Sequence, residues 1–456
     1  MKKHGFYASE HTVEFPVNDS LYLFNALSGA LDLLEDKRYI ETWRKVKKGE
    51  CQDVNFLDKL LARGYIYRSR EDEKRLVDKL RAMEDRAVYH ALRCHYILTY
   101  ACNFRCAYCY EHGIDRGLAV ASQDVVNRMH STTEQLRARG CHDRVQLILF
   151  GGEPLIWRPQ QKERVKTVVD YVGEAGWELE IVTNGADLLY YIPLLDRNVV
   201  TMIQTTIDGP KELHDRRRVD TQGKGTFERI VASIDAALEA GLSIAVRVNV
   251  DDQNVYSLPE LAKFFGSRGW FTQPRFGCYL GLTYDLHGTH PYTQPAHITL
   301  KKILEVRKAH PLTRRLSLET WESLMFLMAP LLRGEPCLPK FVFCGAQRNS
   351  WCLDLHGDVY LCANSVGRKE FAVGRFLPRL ELDEECVEAW HRREVDSYPG
   401  CRTCKVRHCC GGGCQFRRAF VRPGSDRGCL EGVYPMMRVA LEYYHHSPEV
   451  FTWPTT

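Results

Sequence analysis

Thr99-Tyr100-Ala101-Cys102-Asn103-Phe104-Arg105-Cys106-Ala107-Tyr108-Cys109-Tyr110 is the stretch on which the reading of this 456-residue chain turns. Its cysteines, Cys102, Cys106 and Cys109, stand in a C-x-x-x-C-x-x-C array. Three thiolates on one short loop can hold three corners of a metal cluster and leave the fourth unprotected. Iron–sulfur clusters are normally held by four Cys, so a compact three-Cys loop implies that a small molecule or a distant residue completes the site. Structural zinc with an incomplete local set is the alternative these residues leave open.

Outward from the loop, composition narrows the class. Hydrophobic residues make up 45% and charged residues 26%, ordinary for a globular protein, and the length suits two or three domains. A net charge of +4 is too mild to argue for a nucleic-acid or membrane partner. No apolar run is long enough to span a bilayer, and the charged N-terminus is not followed by a signal-peptide core, so a cytoplasmic protein is expected. Eighteen Cys is the anomaly. Grouped as C-x-x-C and C-x-x-x-C in a chain without a signal sequence, they point to metal sites rather than disulfides.

From about residue 91 to 285, strand-like runs alternate with amphipathic helices. The strand candidates are 95–99, 145–150, 178–183, 199–207, 243–250 and 275–280. Val165, Val168, Val169 and Val172 share one helical face, as do Phe227, Ile230, Val231, Ile234 and Leu238, with Thr226 placed to cap the second helix and Gly241 to end it. Six such units predict a parallel sheet with outer helices, and ligands of such sheets gather at the carboxyl ends of the strands. Residues 1–90 read as strands followed by helices closed by a strand, with Gly64 as a helix C-cap before Tyr65-Ile66-Tyr67. Residues 70–90 read as a solvated helical linker, and 286–336 as a helical bridge.

The Cys array, the aromatic Tyr108 before its third Cys, and the run Gly151-Gly152-Glu153-Pro154 together resemble the radical S-adenosylmethionine (radical SAM) enzymes. The resemblance implies a 4Fe-4S cluster on Cys102, Cys106 and Cys109, with S-adenosylmethionine on the fourth iron as the source of a 5'-deoxyadenosyl radical. It also implies a partial six-stranded β/α barrel, open on one side. Carried over position by position, Gly151, Gly152, Glu153 and Pro154 meet the methionine amino group. Asn184, Thr206, Asp208, Arg218 and Arg247 stand where family members hold the carboxylate and ribose. Barrel-rim ion pairing is the plainer reading of Arg218 and Arg247, and a turn beside Gly209 that of Asp208.

The last third, 337–456, resembles the SPASM extension of peptide-modifying radical SAM enzymes. Cys344 and Cys362 flank Gly357, and Cys401, Cys404, Cys410 and Cys414 follow in C-x2-C-x5-C-x3-C order, with Cys429 beyond. The resemblance implies two auxiliary 4Fe-4S clusters, one on Cys337, Cys344, Cys362 and Cys414, the other on Cys401, Cys404, Cys410 and Cys429, making three clusters in all. Cys51, Cys94, Cys141, Cys278, Cys352, Cys386 and Cys409 remain as buried or unligated thiols. Two zinc ribbons are the alternative.

The expected architecture is thus an α/β chain: a partial (β/α)6 radical SAM barrel, a small N-terminal α+β winged-helix-like domain and a Cys-rich C-terminal SPASM domain. The winged-helix-like order resembles peptide-binding modules of peptide-modifying radical SAM enzymes, against the plainer reading of a cap on the barrel. The function this implies is hydrogen abstraction from a residue of a ribosomally made precursor peptide, ending in a thioether or carbon–carbon crosslink or an oxidation, with flavodoxin or ferredoxin as electron donor. Two rivals stand beside it. One is a sulfatase maturase making formylglycine, but members of that group typically carry an acidic residue after the Cys matching Cys362, and here Ala363 and Asn364 follow. The other is a zinc-bearing winged-helix regulator of nucleic acid, for which Arg216-Arg217-Arg218 and Arg63 to Arg70 supply only scattered charge.

Overall fold

A computed structural model describes residues 5–283, 294–319, 321–421 and 432–451. Cys429 and the bridge residues 286–293 lie outside the described residues. The six expected strands form: β1 (Ala91–Ile97), β2 (Arg144–Leu149), β3 (Glu178–Val182), β4 (Val200–Thr206), β5 (Ile244–Val250) and β6 (Phe276–Leu282). They pair in parallel and in sequence order, β1 to β6. A doubly wound sheet reverses its strand order at a switch point, whereas a barrel does not. The unreversed order selects the barrel-like alternative. Within this sheet β6 bonds only β5, so the array is open rather than closed.

On the other flank of β1 lies a strand that the sequence reading did not contain. Ser350–Asp354 (β7) pairs in parallel with β1 and turns back on Asp358–Tyr360 (β8). The Cys-rich third therefore continues the barrel's own sheet. Its strand residues Trp351, Cys352 and Leu353 are buried.

Helices pack outside as expected, with Val165, Val168, Val169 and Val172 of the helix Pro159–Glu174 all buried. One cap is corrected. Thr226 makes no side-chain cap; Asp215 Oδ1 accepts from the Thr226 and Phe227 N–H groups at 2.7 and 2.9 Å. The Thr226 hydroxyl instead donates to the Arg218 carbonyl at 2.6 Å, fixing the chain beside a predicted site residue. Gly241 does end that helix, at φ +76°. The bridge carries helices Ala296–Ala309 and Glu322–Arg333.

Residues 12–17, 20–25 and 31–34 form a three-stranded antiparallel sheet, followed by helices Lys37–Lys48 and Val54–Ala62, and Ile66–Tyr67 pairs with Tyr7–Ala8. Trp43, Leu57, Leu60 and Tyr65 share a core with Leu21 and Leu23, separate from the main one. Gly64 has φ +75°, as its C-cap reading required.

The helix Arg70–Val88 is more than a solvated linker. Glu73 is buried and accepts from the Ser9 and Tyr7 hydroxyls at 2.5 and 2.7 Å. About two and three turns further along the same helix, Arg81 donates to Asp396 at 2.8 Å, and Glu84, 2% exposed, accepts from the Phe341 N–H at 3.0 Å. The helix thus ties the N-terminal unit to the Cys-rich third. Burial pushes the Glu84 carboxyl up to about 7, against an ordinary 4.5. The folded chain holds that proton where the unfolded chain has lost it, so stability falls as pH rises from about 4.5 to about 7. Glu84→Gln keeps an acceptor for Phe341 and is expected to remove on the order of 2 kcal/mol of that loss, read from denaturant melts across the window.

Candidate active site

The carboxyl ends of β1 to β5 all face one end of the sheet, and the loops leaving them carry the predicted residues. They border a cavity of about 440 Å³, a size that suits a small-molecule site. Cys102, Cys106, Cys109, Tyr108, Gly151, Gly152, Glu153, Asn184, Thr206, Arg218 and Arg247 all line it. Pro154 and Asp208 do not border it.

Asp208 acts one layer behind. It is fully buried and accepts from the Tyr108 hydroxyl, from Arg217 Nε at 3.3 Å and from the Asn249 N–H at 3.0 Å. Burial works against its carboxylate, but Arg217, Arg218 and Tyr108 outweigh that and hold it below the usual range. Arg218 Nη1 and Asn249 Nδ2 in turn donate to the Tyr108 hydroxyl at 2.9 and 3.2 Å. The aromatic ring before the third Cys is therefore locked to the ends of β4 and β5.

Glu153 is also braced. Its Oε1 accepts from the Thr183 hydroxyl at 2.6 Å and the Leu155 N–H at 2.8 Å, and its Oε2 accepts from the Asn184 N–H at 2.6 Å. Its own N–H donates to the Ala101 carbonyl at 2.8 Å. Burial pushes this carboxyl up to about 7. The glycines before it fit tightly under the cysteine loop. At Gly152, with φ +52°, an added Cβ would lie 2.6 Å from Ala101 O and 2.7 Å from Thr99 O.

Burial pushes the thiols of Cys102, Cys106 and Cys109 up, and two cations oppose it. Arg116 Nη2 donates to Cys109 Sγ at 2.8 Å, and the Arg218 guanidinium acts on Cys106. A metal centre binds thiolates and releases their protons, so a buried thiol set with cations beside it suits a metal cluster. Among the described residues, no three His, Cys, Asp or Glu side chains sit close enough to cage a single ion.

Several lining residues were not read from the sequence. Glu111, 3% exposed, accepts from the Gly152 N–H at 2.8 Å and so joins the cysteine loop to the glycine run. Its place two positions past Cys109 is the only signal that could have found it. Gln204 and Thr283 belong to the same wall, as do Phe343, Asn364, Cys414 and Arg417. The last four come from the Cys-rich third, which roofs the open end of the barrel. Nearby, the charges acting on Cys362 include those of Cys414 and Cys344, whereas Cys337 acts on Cys409 beside Cys410 and Cys404. Of the seven thiols outside the motifs, five are buried, while Cys141 and Cys386 are exposed.

The pattern of the Radical SAM superfamily matches residues 96–265, which take in the end of β1, the cysteine loop, the glycine run and the strands through β5. The chain carries a radical SAM domain. It is therefore an enzyme of radical SAM type, and that chemistry works with a 4Fe-4S cluster and S-adenosylmethionine. The mycofactocin maturase MftC of Mycolicibacterium smegmatis is 27% identical over 352 residues, covering 74% of this chain and 81% of that relative. Native anSMEcpe with bound AdoMet superposes with a TM-score of 0.59 at 17% identity, over 79% of this chain and 98% of that one. Streptococcus suis SuiB bound to precursor peptide SuiA gives a TM-score of 0.53 at 14% identity, over 94% of this chain and 99% of that one. The fold built on a mostly parallel sheet is shared with both of these solved structures. Among the described residues no helix is long and apolar enough to cross a membrane.

Proposed function

We propose that this radical SAM enzyme matures a ribosomally made peptide, removing a hydrogen atom from one of its residues so that a thioether or carbon–carbon crosslink, or an oxidised residue, results. One observation carries the reading: the three-Cys loop and the glycine run open into a cavity whose roof, Phe343, Asn364, Cys414 and Arg417, belongs to the Cys-rich third. The relative named as a mycofactocin maturase, and the fold shared with SuiB in its complex with a precursor peptide over 94% of this chain, support a peptide substrate.

Cys102, Cys106 and Cys109 would hold the 4Fe-4S cluster, and Gly151, Gly152, Asn184, Thr206, Arg218 and Arg247 would bind S-adenosylmethionine. When bound, these groups supply a 5'-deoxyadenosyl radical. The chain's own part is positional. Glu153 and Glu111 fasten the glycine run to the cysteine loop, Asp208 and Arg218 orient Tyr108, and the roof shields the cavity from water. Cys344, Cys362 and Cys414 would belong to one auxiliary cluster, and Cys401, Cys404, Cys410 and Cys429 to a second. Cys337 completes the first set by resemblance, although its charge acts on Cys409 rather than on Cys362. The N-terminal unit, with its winged-helix order and separate core, would grip the precursor's leader segment. A flavodoxin or ferredoxin in the cytoplasm would supply electrons.

Sulfatase maturases typically carry an acidic residue directly after the Cys matching Cys362, and here Ala363 follows, with Asn364 beyond it on the cavity wall, neither of which can act as a base. The two glutamates lining that wall, Glu111 and Glu153, are committed to backbone and hydroxyl donors. A radical SAM domain also favours an enzyme over a zinc-bearing regulator, and an iron and sulfide assay separates the two.

The test is anaerobic. Reconstituted protein, S-adenosylmethionine, a strong reductant and the peptide encoded by a short reading frame beside this gene are expected to give 5'-deoxyadenosine and a peptide lighter by about 2 Da, the loss of two hydrogens. Cleavage of S-adenosylmethionine with the peptide unchanged and unbound would reject the peptide reading.

A further inference from the structure

Arg116 lies beyond the cysteine motif and does not border the cavity, yet its guanidinium holds the loop at two points. Its Nη2 donates to Cys109 Sγ at 2.8 Å, and its Nη1 donates to the Phe104 carbonyl at 3.2 Å. Phe104 stands between Cys102 and Cys106, so the two arms of one fork reach both halves of the loop. Cys102, by comparison, meets a neutral donor, Asn184 Nδ2, at 3.9 Å.

Two charges of opposite sign act on Cys109. The Glu111 carboxylate pushes its thiol up and the Arg116 guanidinium pulls it down. Glu111 is kept in place by the Gly152 N–H, which donates to its Oε1 at 2.8 Å. Arginine stays protonated in a protein interior, so the opposing positive charge is permanent. Net charge and hydrogen bonds to the sulfurs are the levers that set the potential of an iron–sulfur centre, and groups beyond the ligands themselves supply them.

We propose that Arg116 raises the reduction potential of the cluster held by Cys102, Cys106 and Cys109, through the charge and the N–H···S bond it gives to Cys109. This rests on the cluster assignment made above and adds to it a residue outside the motif. Arg116 acts through Cys109 and is a positioning residue, not a catalytic one. Reduction adds one electron, taken from the external reductant, and neither forms nor breaks a bond. A guanidinium against a ligating sulfur favours the more negative, reduced form. Without it, Cys109 faces the Glu111 carboxylate alone.

The test is a potentiometric titration of the full reconstituted chain, followed by electron paramagnetic resonance without S-adenosylmethionine. Cys106→Ala serves as the blank that removes the signals of the Cys-rich third. Arg116→Gln, which keeps an N–H donor and loses the charge, is expected to hold its full iron. At a fixed potential its ratio of reduced to oxidised cluster is expected to fall about tenfold, a midpoint lower by about 59 mV for one electron. Arg116→Lys keeps the charge and is expected to shift by less than half as much. A merely structural clamp would move iron content and not the midpoint. An unmoved midpoint in Arg116→Gln, equal shifts in the two variants, or iron lost from either one overturns the proposal. A wild type with no signal beyond that of Cys106→Ala instead removes the cluster from this loop, and the proposal with it.

Discussion

Reconstituted protein carrying Cys106→Ala is expected to release no 5'-deoxyadenosine from S-adenosylmethionine under strong reductant, a loss of at least about a thousandfold. Cys106 is central to its loop: it is acted on by Arg218, and its charge acts in turn on Cys102 and Cys109. With two thiols left, a cluster has no third anchor, and thiolate ligation is what holds Fe–S centres. The same variant is expected to lose about four irons per chain, one cluster's worth, while the remaining brown colour persists on the Cys-rich third. Full activity, or loss of all iron, would contradict the division of the cysteines between a radical site and separate auxiliary sites. Cys141→Ala and Cys386→Ala serve as controls, since both thiols are exposed and stand apart from every motif.

Gly152→Ala is expected to be the most damaging single methyl group in the domain. Its Cβ would sit 2.6 Å from Ala101 O and 2.7 Å from Thr99 O, both backbone atoms of the cysteine loop that cannot swing aside, and φ is +52°. Overpacking and a disfavoured backbone together cost about 2–4 kcal/mol, and the strain falls on the loop that presents Cys102. Binding of S-adenosylmethionine, measured by equilibrium dialysis, is expected to weaken at least tenfold, with a lowered melting midpoint. Gly151→Ala is the comparison. There the contacts are side-chain atoms of the buried Ile97, at 2.9 and 3.0 Å, rather than the backbone of the cysteine loop. Its backbone, at φ +83°, is strained too, so it is expected to fall between wild type and Gly152→Ala. Equal behaviour of the two variants would show that conformational strain, and not the close approach to the cysteine loop, sets the geometry.

Local signals carried much of the fold. β-branched runs alternating with amphipathic helices are dictated by nearest neighbours, so β1 to β6 and the packed valine face of Pro159–Glu174 were visible in the sequence. The cap on the helix Phe227–Glu239 was not, because Asp215, which supplies it, stands apart from the helix in sequence. The linker reading of 70–90 missed for the same kind of reason: Glu73 and Glu84 look like surface charge until Ser9, Tyr7 and Phe341 arrive to bury them.

In the site, residue type and spacing alone placed three thiols on one loop and a glycine run after the next strand, both at the carboxyl ends of parallel strands, and it was the resemblance to radical SAM enzymes that implied one chemistry for the two. Tertiary structure alone decided that Asp208 and Pro154 stand back from the cavity, that Glu111 closes it and that Cys414 looks into it from a distant part of the chain. Those outcomes depend on which partners burial brings within hydrogen-bond reach, a property of the packed chain that no run of consecutive residues encodes.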